Sequence, residues 1–191
     1  MSEPKSYALV EQAAALIRQR QYQEAFQCAQ DAIKTGDNNP NAYFILGVTL
    51  LHLGYLRESI VAFKRTLVLE PLNSHALNNI GTAHRRLGLL IEAAQFHRQA
   101  IHIQADHVGA RVNLAGILCD LHQYAEAAEQ CRIAVNIDGA MPEAHHGLAE
   151  ALRGLDKTEE AKVHYRKALE LAPGLELSQR RLAELLAAGN P

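Results

Sequence analysis

Ten histidines, three cysteines and 21 carboxylates are the side chains from which a reactive site would have to be built. Metal binding on a helix needs two histidines three or four residues apart, so that both imidazoles leave the same face. No two of His52, His75, His84, His97, His102, His107, His122, His145, His146 and His164 have that spacing. His145 and His146 are adjacent, and adjacent helical side chains point apart. The histidines read as scattered surface or groove residues, and no metal site is expected. Cys28, Cys119 and Cys131 are odd in number and form no C-x-x-C pair, which argues against a disulfide scaffold and a thiolate zinc site. They read as small helix residues in a reducing compartment. Glu92, Glu126 and Glu160 recur at one interval and read as helix-start or solubilising carboxylates, not as an acid–base pair. The chain has no G-x-S-x-G elbow, no G-x-x-x-x-G-K loop and no G-x-G-x-x-G turn. No catalytic residue and no cofactor is expected, so the chain reads as non-enzymatic.

Composition narrows the class further. Hydrophobic residues make up 48% and charged residues 21%, the balance of a folded soluble protein. A net charge of −2 lacks the basic excess of a phosphate-binding surface, so no nucleic-acid partner is expected. The segment after Lys5 is broken by Glu11, Gln12 and Arg18, which is not the pattern of a signal peptide. No apolar stretch approaches the length of a bilayer span. A cytoplasmic protein without membrane insertion is expected.

The elements that position these side chains are set by a repeat. Leu46, Ile80, Leu114 and Leu148 stand 34 residues apart, as do Gly47, Gly81, Ala115 and Ala149. Two further rows are Ala25, Ser59, Ala93, Ala127, Ala161 and Ala32, Thr66, Ala100, Ala134, Ala168. A period held without insertion is the signature of a repeat array, whose units pack on their neighbours rather than around one core. The units are 6–39, 40–73, 74–107, 108–141 and 142–175, in one domain over 1–191. Within the second, Phe44, Leu46, Gly47, Leu50, Leu51 and Leu53 step by threes and fours. A turn at Gly54 follows, then a second helical stripe of Ile60, Phe63, Leu67 and Leu69, stopped at Pro71. Each unit is therefore helix, turn, helix, loop. The small rows predict close helix crossings, where glycine or alanine leaves room for a facing backbone. Residues 176–188 predict a capping helix with a polar face, and Gly189-Asn190-Pro191 a helix stop. The first unit is atypical, with Gln12 and Asp37 at positions that differ from the other copies.

Two helices in 34 residues, closed by proline, resemble the tetratricopeptide repeat. The second unit matches through Tyr43, Leu46-Gly47, Leu50, Ser59, Phe63, Thr66 and Pro71. The fifth matches through Leu148, Ala149, Leu152, Ala161, Tyr165, Ala168 and Pro173. The third and fourth keep the small positions but carry His84, His97, Arg111 and Cys131 at sites that are usually apolar or aromatic. The resemblance implies an all-α, right-handed superhelical solenoid of antiparallel helix pairs. It also implies a concave groove, lined by the first helices, that binds a peptide or protein segment.

On that geometry the groove residues are Val10, Ala14, Phe44, Ile45 and Val48, with His52 at the far end. The third unit adds His75, Asn78, Asn79, Thr82 and Arg86. The fourth adds Arg111, Asn113, Gly116 and Asp120, and the fifth His146, Glu150 and Arg153. An apolar N-terminal part would take apolar anchors, and a mildly basic C-terminal part acidic or amide groups. Alternatively, Phe44, Ile45 and Val48 pack against neighbouring helices. Asn79 and Asn113, one period apart, suit the gripping of a peptide backbone. Three functions are open: a protein-binding scaffold or adaptor, the substrate-recruiting arm of a larger glycosyl- or sulfotransferase, and a self-assembling homo-oligomer.

Overall fold

The computed structural model describes residues 5–36 and 38–188, so the expectations for Asp37 and for 189–191 lie outside the described residues. Within that range are eleven helices and no strand. They are α1 (Lys5–Arg18), α2 (Tyr22–Lys34), α3 (Pro40–Leu53), α4 (Leu56–Leu69), α5 (Ser74–Arg86) and α6 (Leu90–Ile103). There follow α7 (Val108–Asp120), α8 (Tyr124–Ile137), α9 (Pro142–Gly154), α10 (Thr158–Leu171) and α11 (Glu176–Ala188). The fold is all-α and made of helix pairs.

Local chemistry repeats with the pairs. Each turn inside a pair passes through a left-handed residue: Arg20, Gly54, Gly88, His122 and Asp156, with φ between 58° and 87°. The amide that follows reaches back to the last helical turn, as in Tyr55 N–H to Leu50 O (2.9 Å) and Gln123 N–H to Leu118 O (2.8 Å). This closing bond satisfies carbonyls the helix leaves unpaired. Gly54 and Gly88 adopt the conformation freely. At Arg20, His122 and Asp156 a Cβ makes it cost about 1 kcal/mol. Between pairs, Asn39 and Asn73 cap α3 and α5 by accepting from Asn41 N–H (3.0 Å) and Ala76 N–H (2.8 Å). At the matching position His107 Nδ1 accepts from Ala110 N–H (3.2 Å) and caps α7. Pro142 opens α9, where a missing N–H costs nothing. Glu58, Glu92, Glu126 and Glu160 sit in the first turns of the second helices, where carboxylates complement the helix dipole.

The chain divides into two compact units, Met1–Ile103 and Gln104–Pro191. In the first, consecutive helices pack in pairs, and α3 adjoins both α1 and α5. The second helices α2 and α4 stand apart, with a cleft of about 400 Å³ between them, floored by Tyr43, Leu46 and Leu50 of α3. The first-helix side is thus the tighter side of this unit. Its core gathers Ile60, Phe63, Ala76, Ile80 and Ala83. In the second unit α7 packs on α8 and α9, α9 on α8 and α10, and α10 on α11.

The small rows are buried, but what faces them corrects the expectation of backbone against backbone. A Cβ placed on Gly47 would stand 2.6 Å from the Phe63 ring, and one on Gly81 2.8 Å from the His97 ring. These glycines make room for an aromatic ring of the paired helix. Ala93, Ala127 and Ala161 are fully buried.

Candidate binding surface

One spacing explains where four of the candidate side chains go. In the second to fifth pairs, a first-helix residue meets the second-helix residue 19 positions later. Phe44 meets Phe63 edge-on, with ring centroids 5.7 Å apart. The next copy replaces that aromatic pair with a polar one: His97 Nδ1 donates to Asn78 Oδ1 at 3.0 Å. In the fifth copy His146 lies against the Tyr165 ring at 5.8 Å. One residue earlier in the register, Arg111 Nη1 donates to Gln130 (2.6 Å) and His145 meets His164 (3.1 Å). Helical periodicity along one segment does not show this pairing. Listing both helices of a pair at an offset of 19 would have found it.

In the first unit the apolar candidates turn inward. Phe44 and Val48 are half-buried and pack on the Ile60–Phe63–Ile80 cluster, and Ile45 is half-buried. Ile45 O accepts from Thr49 Oγ1 (2.8 Å). His52 lies flat on Tyr22, with centroids 4.5 Å apart. Burial, and then the charges of Arg86 and Arg20, hold its pKa below the usual histidine value. The polar candidates of α5 behave differently. His75, Asn79, Thr82 and Arg86 fall at steps of four, three and four, on one face of the helix. His75 and Arg86 are exposed, and Asn79 and Thr82 half-buried. Thr82 Oγ1 donates to Asn78 O (3.1 Å), and Arg86 Nη1 to Leu51 O (2.5 Å) at the end of α3.

The second unit is less basic on its surface than expected. Arg111 is buried: Nε and Nη2 donate to Ala105 O (3.0 and 2.7 Å), and Nη1 to Gln130. Its register points it at α8, so its charge serves the α6–α7 loop and the α7–α8 crossing rather than a groove. Asn113 is half-buried. Arg153 is engaged by an internal carboxylate. Glu150 accepts from Arg153 Nη2 (3.0 Å) and, through a very short bond, from the Tyr165 hydroxyl. Arg181 Nε of α11 lies 3.3 Å from the same carboxylate. Burial pushes the Glu150 pKa up, but the bonds from Tyr165 and Arg153 and the charges of Arg153 and Arg181 outweigh it and hold it below normal. Burial and the hydrogen bond to Glu150 push the Tyr165 pKa well up. His146 Nδ1 is hydrogen-bonded to Ser178 Oγ of α11 (2.8 Å). Burial, offset in part by Glu150, lowers its pKa. Cys131 is buried and its thiol is pushed up to about 12, chiefly by burial, so it stays protonated and unreactive.

His145 and His164 form the tightest imidazole pair. Their Nδ1 atoms are 3.1 Å apart and their centroids 5.4 Å, with the planes 21° apart. The nitrogens are closer by 2.3 Å, the combined radii of the two rings, so they lie on the line between the rings and face each other. Lone pairs aimed head-on hold a proton; they do not converge on a metal. His145 Nε2 is 3.2 Å from Gly139 O and must donate to it. In the neutral pair His145 Nδ1 therefore accepts from His164 Nδ1–H. A second proton would set two donors nose to nose. Burial first, then the charges of His145 and Arg132, lower the His164 pKa against an opposing pull from Glu160. In a nitrogen-detected NMR titration His164 should therefore titrate below about 6.5. Because the folded value is depressed, its contribution to stability is full above that pH and is lost as pH falls through the folded value. A His164 that titrates at or above the ordinary value contradicts this geometry.

Among the described residues, no three His, Cys, Asp or Glu side chains gather as metal ligands would. No described helix is long and apolar enough to cross a membrane. What remains is a set of helix faces, and the repeat that carries them is found in known proteins. Models of the tetratricopeptide repeat match residues 10–63, 74–111 and 142–175. The chain is 29% identical over 118 residues to the CTR9 homolog protein of Arabidopsis thaliana, covering 60% of this chain and 11% of that protein. It is 30% identical over 112 residues to the protein O-mannosyl-transferase Tmtc3 of Drosophila melanogaster, covering 59% of this chain and 11% of the relative. The chain thus spans about a tenth of the length of these curated relatives. The crystal structure of TTC0263, a thermophilic TPR protein of Thermus thermophilus, superposes with a TM-score of 0.76 at 21% identity, over 95% of this chain and 99% of that one. Three repeat matches, an all-helical pair architecture and this superposition agree, and the chain belongs to the tetratricopeptide-repeat family.

Proposed function

We propose that the chain is a non-catalytic binding module that takes a protein segment against the first-helix side of its repeats. The observation that carries this is the face of α5. His75, Asn79, Thr82 and Arg86 line it as polar groups that reach the surface, while Phe44 and Val48 beside them are occupied with packing. An asparagine amide offers both a donor and an acceptor, which suits a peptide backbone more than a particular side chain. Arg86 is held at the end of α3 and presents a fixed positive charge there. The apolar anchoring pocket expected around Phe44 is not part of this proposal, because that ring supports the core.

The test is a peptide-display selection on the wild-type chain, followed by calorimetry with the selected peptide on Asn79→Ala. Loss of one backbone-gripping amide should weaken binding about five- to tenfold, with an unchanged circular-dichroism spectrum. Equal affinity in the folded variant would move the binding face away from α5. A second reading follows from the similarity to Tmtc3: the chain is the recognition arm of a larger transferase. An open reading frame that continues into a catalytic domain would favour it.

A further inference from the structure

The second-helix side of the first unit carries a feature that segment binding on the first-helix side does not use. Along α4, Glu58, Val61, Arg65 and Val68 step by three, four and three, and all four are exposed. Val61 is 63% and Val68 66% exposed, and Tyr55, before the helix, 55%. The other second helices keep most of these positions polar. Where α4 has Val68, the others have Lys34, His102, Asn136 and Glu170. Where it has Val61, they have Gln27, Gln95, Glu129 and, in α10, Val163. Beside this stripe opens the cleft between α2 and α4, whose walls include Phe26, Tyr43, Leu46 and Val61. Arg65 stands at its rim, over the Tyr43 ring at 5.7 Å. Glu58 is at the rim as well. Two valines seven residues apart, both open to water and found together on α4 alone among the described second helices, form a surface suited to being covered.

We infer that this face of α4 pairs with the same face of a second copy of the chain, the two helices running antiparallel about a two-fold axis. The charge order selects that occupant. Turning α4 about a point between Val61 and Ala62, halfway from Glu58 to Arg65, brings Glu58 opposite Arg65 of the partner and Arg65 opposite its Glu58. The same rotation brings the two Val61 side chains near the axis and sets each Val68 toward an outer end of the contact. A two-fold interface must be complementary to itself, and this stripe is, in charge as well as in apolar content. The partner's Val61 then meets the edge of the cleft between α2 and α4, which Val61 itself lines. The inner face of α5 remains open, so the dimer carries two copies of the proposed segment-binding face.

The test uses light scattering coupled to size-exclusion chromatography over a concentration series. The wild-type chain should approach twice the monomer mass as concentration rises. Glu58→Arg sets like charges against each other at both contacts, as does Arg65→Glu, and each should weaken association about tenfold or more. Both positions are exposed, so neither variant is expected to change the circular-dichroism spectrum. Mixed in equal amounts, the two variants should form a heterodimer, because every contact then joins opposite charges again. The double variant Glu58→Arg/Arg65→Glu should associate as the wild type does. Recovery on mixing is specific to the antiparallel register and supports the inference. A wild-type chain that stays monomeric at its highest soluble concentration would overturn it. Association indifferent to both single substitutions would equally overturn it, and so would monomeric behaviour with this face bound to a different protein.

Discussion

Replacing Phe63 by alanine should destabilise the first unit by about 3–5 kcal/mol. The ring is fully buried among Ile60, Ala76, Ile80 and Ala83, and meets Phe44 edge-on. It also lies against Gly47, where a Cβ would come within 2.6 Å of it. Phe44, Ile60 and Ile80 can close part of the space the ring leaves, but Gly47, Ala76 and Ala83 cannot, so part of the cavity should persist. Urea denaturation gives the total. Because repeat stabilities add through neighbours, hydrogen exchange should show the loss in α3, α4 and α5 and leave α9 and α10 protected. Gly47→Ala, which pushes on the same ring, should cost about 1–3 kcal/mol alone. Combined with Phe63→Ala it should cost less than the sum, since the clash and the cavity involve one ring. Strict additivity would mean that glycine and ring do not share the contact described.

Glu150→Gln should cost about 1–2 kcal/mol, and the loss should be concentrated in α11. The carboxylate retains 20% side-chain exposure, so its pairs are partly screened and the full penalty of a buried ion does not apply. The amide can still accept from Tyr165, but Arg153 and Arg181 lose their counter-charge. Among the described residues of α11 only Ser178 is buried. Its polar links to α9 are Ser178 to His146 and Arg181 to Glu150. The cap should therefore exchange its amides faster in the variant while α7 and α8 do not change. The pH dependence has a definite sign. The folded pKa of Glu150 lies below its ordinary value, so its stabilisation is full above about 4.3 and is lost as pH falls through the folded value. Wild-type stability should drop through that acid window, and Glu150→Gln should remove this contribution to the drop. A variant as acid-sensitive as the wild type would assign the effect to other carboxylates.

The partition between what could be read in the residues and what could not follows physical lines. The 34-residue interval was legible because it recurs in the residues themselves, and the turn at Gly54 and the stop at Pro71 because each acts within one or two helical turns. The other left-handed turns at Arg20, His122 and Asp156 were not, since those residue types adopt the conformation only where the repeat imposes it. Phe44 was legible as an aromatic on a first helix, but its choice between groove and core was not. The crossing of α3 on α4 decided for the core by setting Phe63 over Gly47. Arg111 is the sharper case. Its charge suggested a ligand-binding surface, yet the rotation of α7 against α8 turned it onto Gln130 and the Ala105 carbonyl. The all-helical class, the repeat and the family could be read from the residues, because spacing is a property of one chain segment. Which face of each helix is occupied depends on packing, because the angle between two packed helices sets which residues meet across it.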